Sequence, residues 1–117
     1  LTWEDPLMPT PLKSRTNVII TSKNKREFPG ADEYISENLI HNFKKISSKY
    51  NKSDKFIIGG PNILNQLFNL VEEFYLTRIY GNFNCDKKID INIIKKNMKL
   101  KNKIQSDDTC HFEIWTR

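Results

Sequence analysis

The chain predicts an α/β fold: a mixed sheet, mostly parallel, flanked by helices and closed by an antiparallel hairpin at its C-terminal end. Three observations carry this expectation. Short β-branched runs alternate with helical periodicities in the order strand, helix, strand, helix, which implies parallel pairing through right-handed crossovers. The apolar run Phe56-Ile57-Ile58 feeds Gly59-Gly60 and then a helical pattern, the arrangement by which a strand hands a phosphate to a helix N-terminus. Residues 97–104 and 110–115 are separated by a turn at Ser106-Asp107-Asp108, which reads as a hairpin. A Gly pair at a strand end also serves a plain tight turn, so the second observation depends on its neighbours.

Taken in order, Pro6, Pro9 and Pro11 forbid a regular helix or central strand between Asp5 and Leu12, and that segment is an extended loop. Asn17-Val18-Ile19-Ile20-Thr21 is a β-branched run bounded by polar residues, the pattern of a strand buried on both faces. Residues 22–30 are polar and close on Pro29-Gly30, a loop signature. Glu33-Tyr34-Ile35 is briefly extended and leads to Ser36, the N-cap of a helix with Leu39, Ile40, Phe43 and Ile46 at helical spacing, running to about Lys49. Residues 55–58 form the next strand, and Ile63, Leu64, Leu67, Phe68 and Val71 mark the apolar face of the helix after the Gly pair. Residues 73–80 are strand-like, residues 81–86 are turn-rich, and a polar connection holding Ile93-Ile94 leads into the hairpin. In the last strand His111 and Glu113 alternate with Phe112 and Ile114, which fits a sheet with one face more exposed.

At 117 residues the chain is one domain. A mean hydropathy of -0.61 and no apolar run of the roughly 18 residues a membrane span needs make it a soluble chain. Its +5 charge comes from fifteen lysines and four arginines against fourteen acids, scattered along the chain rather than gathered with aromatics on one face. That pattern is a solvated surface suited to anionic small ligands rather than a nucleic-acid interface. Cys85 and Cys110 have no second thiol or histidine at ligand spacing, which argues against a metal site and for reduced thiols inside a cell. His41 and His111 read as structural. The start at Leu1-Thr2-Trp3, without an initiator Met or signal sequence, predicts that a preceding part was cut or is absent.

Read together, Thr2-Trp3-Glu4, the run Pro11-Leu12-Lys13-Ser14-Arg15-Thr16-Asn17-Val18-Ile19-Ile20, Ile58-Gly59-Gly60, Tyr75-Leu76-Thr77-Arg78-Ile79, Asp86 and Phe112-Glu113-Ile114 resemble dihydrofolate reductase in the correct order. The resemblance covers nearly the whole chain and is strongest to phage and viral forms. It implies a dihydrofolate reductase-like domain over residues 1–117, N-terminally incomplete, that reduces dihydrofolate to tetrahydrofolate with hydride from NADPH. Substrate-binding roles then fall to Leu12 at the aminobenzoate, Arg15 at the folate glutamate carboxylate, Ile58 at the pterin and nicotinamide junction, and Thr77 at the pterin. The planar guanidinium of Arg15 suits a carboxylate because it offers two parallel hydrogen bonds. Cofactor-binding roles fall to Thr2, opening a helix that faces a phosphate, and to Thr21, Ser22 and Lys23 near the adenosine 2′-phosphate. Gly59 and Gly60 are implied to form a cis peptide, with Asn62 and Ile63 at the helix start facing the pyrophosphate.

The chain departs from the family's pattern in several places. Leu64 replaces a common tyrosine, Pro61 lacks an N–H that could serve a phosphate, and Lys87-Lys88-Ile89 replaces an aromatic-proline stretch. The segment that in the family precedes Thr2 supplies a central strand, a mobile loop and the pocket carboxylate, and neither Glu4 nor Asp5 matches that carboxylate. No catalytic residue is therefore assigned in this chain, and the central N-terminal strand of the sheet is absent from it. A longer chain, a second copy or a peptide would complete the sheet; alternatively the domain is a non-catalytic scaffold or interaction module that keeps the fold. The reductase of riboflavin synthesis shares a Gly-Gly strand end, but the Thr-Trp-Glu and Pro-Leu-Lys-Ser-Arg motifs argue against it. The expected location is the cytoplasm, that of the host if the source is viral, with no metal, nucleic-acid or membrane partner.

Overall fold

The computed structural model describes residues 2–117 and divides into two compact units, one ending at Gln66 and the other spanning Leu67–Arg117. In the first unit, strands β1 (Val18–Ile20) and β2 (Glu33–Ile35) pair in parallel with Ile19 opposite Tyr34. The connection between them is not a helix. It makes a short 3-10 turn at Lys25–Glu27 and then buries Phe28, whose carbonyl accepts the Tyr34 hydroxyl at 2.7 Å. Helix α1 (Leu39–Lys49) follows, and helix α2 (Pro61–Leu67) begins directly after the Gly pair. Pro61 opens α2 without cost, because the first helical N–H has no partner within the helix in any case.

The second unit is a three-stranded antiparallel sheet in the order β3 (Glu73–Ile79), β5 (Cys110–Thr116), β4 (Lys99–Gln105), so β4 and β5 form the expected hairpin. Helix α3 (Ile91–Asn97) precedes β4, with Asp90 as N-cap accepting the Asn92 amide at 2.9 Å. The buried apolar residues of this unit are Leu67, Phe68, Phe74, Ile94, Met98 and Trp115. Arg117 ties the end of β5 to the turn before β3: its Nε donates to the Val71 carbonyl and its Nη2 to that of Phe68.

The mixed α/β architecture, the hairpin, β3 and the helix after the Gly pair agree with expectation, whereas several local readings are corrected. Residues 55–58 form no strand, because a strand exists only through a ladder and this run has no ladder partner among the described residues. Phe56 is 76% exposed and Ile58 58%. Among the described residues there are two sheets rather than one mostly parallel sheet: β1 and β2 pair in parallel, and β3, β5 and β4 pair antiparallel. The strand Val18–Ile20 is not buried on both faces, since Ile19 is buried while Val18 is exposed. Helix α1 starts at Leu39 rather than after Ser36, because Asn38 takes a left-handed conformation (φ 47°) that cannot belong to the helix. Val71 lies beyond α2, in an extended conformation that ends the 3-10 turn Phe68–Leu70. The connection around Ile93-Ile94 is α3, whose signal was Asp90 followed by Ile91, Ile94 and Met98 at helical spacing.

The polar and apolar faces of β5 are arranged opposite to the usual pattern. His111, Glu113 and Trp115 are buried, while Phe112 is 41% exposed. Hydrogen bonds make this tenable. The Trp115 Nε1 donates to Glu113 Oε1 at 2.9 Å, His111 Nε2 sits 2.7 Å from Glu113 Oε2, and the Tyr80 hydroxyl sits 2.7 Å from His111 Nδ1. Burial works to raise the Glu113 carboxyl, but the hydrogen bonds from His111 and Trp115 and the charge of Arg78 outweigh it and hold the group below its ordinary value.

Two stability measurements check these cores. Ile94→Ala should lower the urea-unfolding free energy by about 2–5 kcal/mol, and a loss below about 1 kcal/mol would contradict its burial. A carboxyl held low in the folded state stabilises above its unfolded value, and the benefit is lost as pH falls through the folded value. Glu113→Gln should therefore cost about 1–3 kcal/mol at pH 7. The gap to wild type should shrink as the pH falls below the ordinary carboxyl range and through the lower folded value, where the native carboxyl itself protonates; a gap that does not change with pH would refute the charged pairing.

Candidate functional site

The first unit contains a cleft of about 840 Å³. Three segments supply much of its wall. The loop that precedes β1 contributes Leu12 and Arg15, α1 contributes Phe43 and Ile46, and the chain from Asp54 through Gly60 contributes Ile58 and the Gly pair. The lining is mainly apolar because α1 turns its Phe43 and Ile46 face inward and the unladdered run Phe56-Ile57-Ile58 supplies three large side chains. Such a lining suits a flat, apolar ligand with a few fixed polar contacts.

The loop over residues 12–17 is held from one end by Asn17, which is buried. Its Nδ2 donates to the carbonyls of Leu12 and Arg15 at 2.9 and 3.0 Å, and its Oδ1 accepts the Leu12 amide at 2.8 Å. Its backbone amide donates to Asp32 Oδ2 at 2.7 Å, and its carbonyl accepts the amides of Asp32 and Glu33. Arg15 itself is exposed; its Nε donates to the Lys13 carbonyl at 3.1 Å, and among the described residues its Nη groups meet no acceptor. Asn17 was missed as a site residue in the sequence, where it marked only the start of a strand. The available signal was an Asn at the end of a Pro-and-Ser-containing loop, where side-chain to backbone bonds are common.

The Gly59-Gly60 peptide is cis, as the resemblance implied. Gly59 has φ 145°, a conformation that favours glycine, and a Cβ there would lie 2.9 Å from the Thr2 Oγ1. Thr2 thus packs against the Gly turn and lines the cleft, but it opens a three-residue 3-10 turn (Thr2–Glu4) rather than the expected helix. Ile63 lines the cleft from α2, whereas Asn62 is exposed and its Oδ1 accepts from Gln66 Nε2 along the helix at 3.1 Å.

Thr21 lines both the cleft and a second, polar depression of about 670 Å³ that also takes in Ser22 and Lys23. The acidic side chains there are already engaged. Asp32 accepts the Asn17 amide, and Glu33 is paired with Lys49 and accepts the Tyr50 hydroxyl, the Lys49 hydrogen bond holding its carboxyl below the ordinary value. The structure thus brings Thr2, Leu12, Arg15, Thr21, Ile58, Gly59, Gly60 and Ile63 to one cleft and Ser22 and Lys23 to its neighbour. Thr77 is an exposed position of β3 in the second unit, opposite Phe112. Among the described residues, Asp54 is the carboxylate that lines the cleft, Glu4 and Asp5 do not line it, and no group of His, Cys, Asp or Glu could hold a metal ion. No helix among them is long and apolar enough to cross a membrane.

Residues 2–117 match the family described as dihydrofolate reductase. A putative dihydrofolate reductase of Caenorhabditis elegans is 31% identical over 121 residues, covering 95% of this chain and 62% of that protein. The dihydrofolate reductase of Bacillus subtilis is 27% identical over 78 residues, 66% of this chain and 43% of that protein. The segregation and condensation protein A of Mycoplasmoides gallisepticum is 25% identical over 81 residues, 69% of this chain but 13% of that protein. The chain therefore spans less than two thirds of the length of each of these relatives.

The contact between Thr2 and Gly59 has a measurable consequence. Gly59→Ala should destabilise the protein by about 1–3 kcal/mol through its backbone conformation and the short approach to Thr2. Adding Thr2→Ala should return only part of that loss in thermal unfolding, since it relieves the contact but not the φ. Complete recovery, or no loss in the single variant, would contradict the geometry.

Proposed function

The chain belongs to the dihydrofolate reductase family, and on that premise we propose that its cleft binds dihydrofolate and NADPH for reduction to tetrahydrofolate. The observation that carries this reading is the position of Arg15 in the lining of an apolar cleft, its Nη groups unengaged, together with Leu12, Ile58 and the Gly pair. An aromatic body with a carboxylate tail matches that combination of an apolar slot and a free guanidinium fork. Leu12 and Ile58 pack against the body and Arg15 grips the tail.

The cofactor-side residues fit their assigned group in hydrogen-bonding type. Lys23 and the hydroxyls of Thr21 and Ser22 offer one cation and two donors for a 2′-phosphate, while Asp32 and Glu33 are already occupied by Asn17 and Lys49. A Cβ on Gly60 would meet nothing within 4 Å, so the second glycine leaves its surroundings open for the pyrophosphate beside Ile63 and Asn62. When bound, NADPH supplies the hydride; the protein's residues orient substrate and cofactor and exclude water from the reacting face.

The proton donor lies outside these residues in this reading, on a further segment of the chain or on a partner chain that also completes the sheet. Two features support such an addition. Among the described residues β1 pairs with β2 alone, and residues 55–58 line the same cleft as β1 yet carry no ladder, which leaves backbone groups for another strand. The second reading is a non-catalytic module of the same fold, favoured by the lack of an assigned proton donor among the described residues. Two free cysteines accord with a cytoplasmic location.

Titration with NADPH and with methotrexate tests the reading. Arg15→Leu should weaken methotrexate roughly 10–100-fold, the loss of a bidentate charged pair, and leave NADPH within about twofold. Equal losses for both ligands would refute the assigned role of Arg15, and an absence of NADPH binding in the native protein would favour the non-catalytic module.

A further inference from the structure

We propose that Asn17 is the positioning residue for Arg15: its side chain pins the loop over residues 12–17 to the parallel sheet and so holds the guanidinium where it meets an anionic ligand. The proposal rests on the reading of the cleft as a folate site, and deepens it. The loop has no regular secondary structure, and Ser14 within it adopts a positive φ of 61°. A free loop of this kind would lose backbone entropy at each residue on ordering around a ligand.

Asn17 removes that cost in advance. One carboxamide reaches both ends of the loop, bonding Leu12 through its amide and carbonyl and Arg15 through its carbonyl. Its backbone is in turn fixed by Asp32, which accepts the Asn17 amide and donates its own amide to the Asn17 carbonyl. The Arg15 side chain adds one further restraint, Nε to the Lys13 carbonyl, which leaves the outer nitrogens for the ligand. Both substrate-contacting residues of this loop, Leu12 and Arg15, are therefore bonded to the same buried side chain. Only a carboxamide does this, because the site asks for two donated hydrogen bonds and one accepted one from a single side chain. A carboxylate would turn acceptor against the Leu12 and Arg15 carbonyls. The expected signature is preorganisation, in which affinity for the carboxylate-bearing part of a ligand falls while affinity for the rest is retained.

The experiment compares two probes on the full chain: a 2,4-diaminopteridine antifolate carrying the glutamate tail and the corresponding compound lacking the glutamate. In Asn17→Asp the tailed compound should weaken about tenfold, which is about 1.4 kcal/mol, and the tailless compound less than about twofold. Asn17→Ser, which also removes the two donated bonds, serves if the Asp variant does not fold. Arg15→Leu should abolish the preference for the tailed compound, and adding Asn17→Asp to it should change nothing more. If Arg15→Leu abolishes the preference while both Asn17 variants keep it, the positioning role is wrong and the folate reading stands. If both probes weaken equally in the Asn17 variants, Asn17 is a purely structural residue and the proposal is overturned. If Arg15→Leu leaves the preference intact, or the native protein binds neither probe, the folate reading fails and the proposal falls with it.

Discussion

The first unit depends on the burial of one neutral polar side chain. Asn17 is inside the protein, and a buried carboxamide is tolerated only if its donors and acceptor are all satisfied. Satisfying them forces the chain before β1 to curl back so that Leu12 and Arg15 present their backbone groups to it. The same residue starts the ladder with β2 through Asp32 and Glu33. Loop, strand pairing and cleft wall thus share one hydrogen-bonding requirement, and the exposed charge of Arg15 is carried on a loop bonded to a buried side chain.

The second unit solves a comparable problem with ionisable groups. Glu113 and His111 occupy the buried face of β5, where an isolated carboxylate would be costly. Two donors converge on the Glu113 oxygens, from Trp115 and His111, and Tyr80 meets the remaining histidine nitrogen. Each side chain alternates along one strand with the next, so the network follows directly from the two-residue period once that face is turned inward. The exposed face then carries Phe112, Tyr75 and Ile79. The edge strand β4 is lined with exposed lysines at 99, 101 and 103, which discourages pairing with further strands on that side.

Much of this is legible in the residues themselves, for reasons that differ between elements. The hairpin of β4 and β5 was readable because its turn chemistry, with Asp107 accepting from Thr109 and Cys110, is local. The helix after Gly60 was readable because its apolar spacing and Pro61 are local as well. The cleft residues Leu12, Arg15, Ile58, Gly59 and Gly60 were named through motifs whose pieces lie far apart in sequence, and they do line one cleft. The strand at residues 55–58 was misread because periodicity reports the tendency to be extended, while a ladder needs a neighbour that no local pattern supplies. α3 was overlooked because seven residues leave the Ile91, Ile94 and Met98 spacing no room to repeat. Asn62 illustrates the same limit at the level of the site, since a motif position does not fix where a side chain points, and Gln66 captures this one.

The sequence by itself determined the C-terminal hairpin, the helix after the Gly pair and a set of residue types suited to an anion and an apolar ring, because these follow from short-range preferences of the chain and from side-chain chemistry. Tertiary structure alone decided which face of β5 is buried, which strands pair, and that Asn17 rather than a charged residue organises the cleft wall. Those outcomes turn on whether distant backbone and side-chain groups find hydrogen-bond partners on burial. That condition is set by the whole fold and is not encoded in any single stretch of residues.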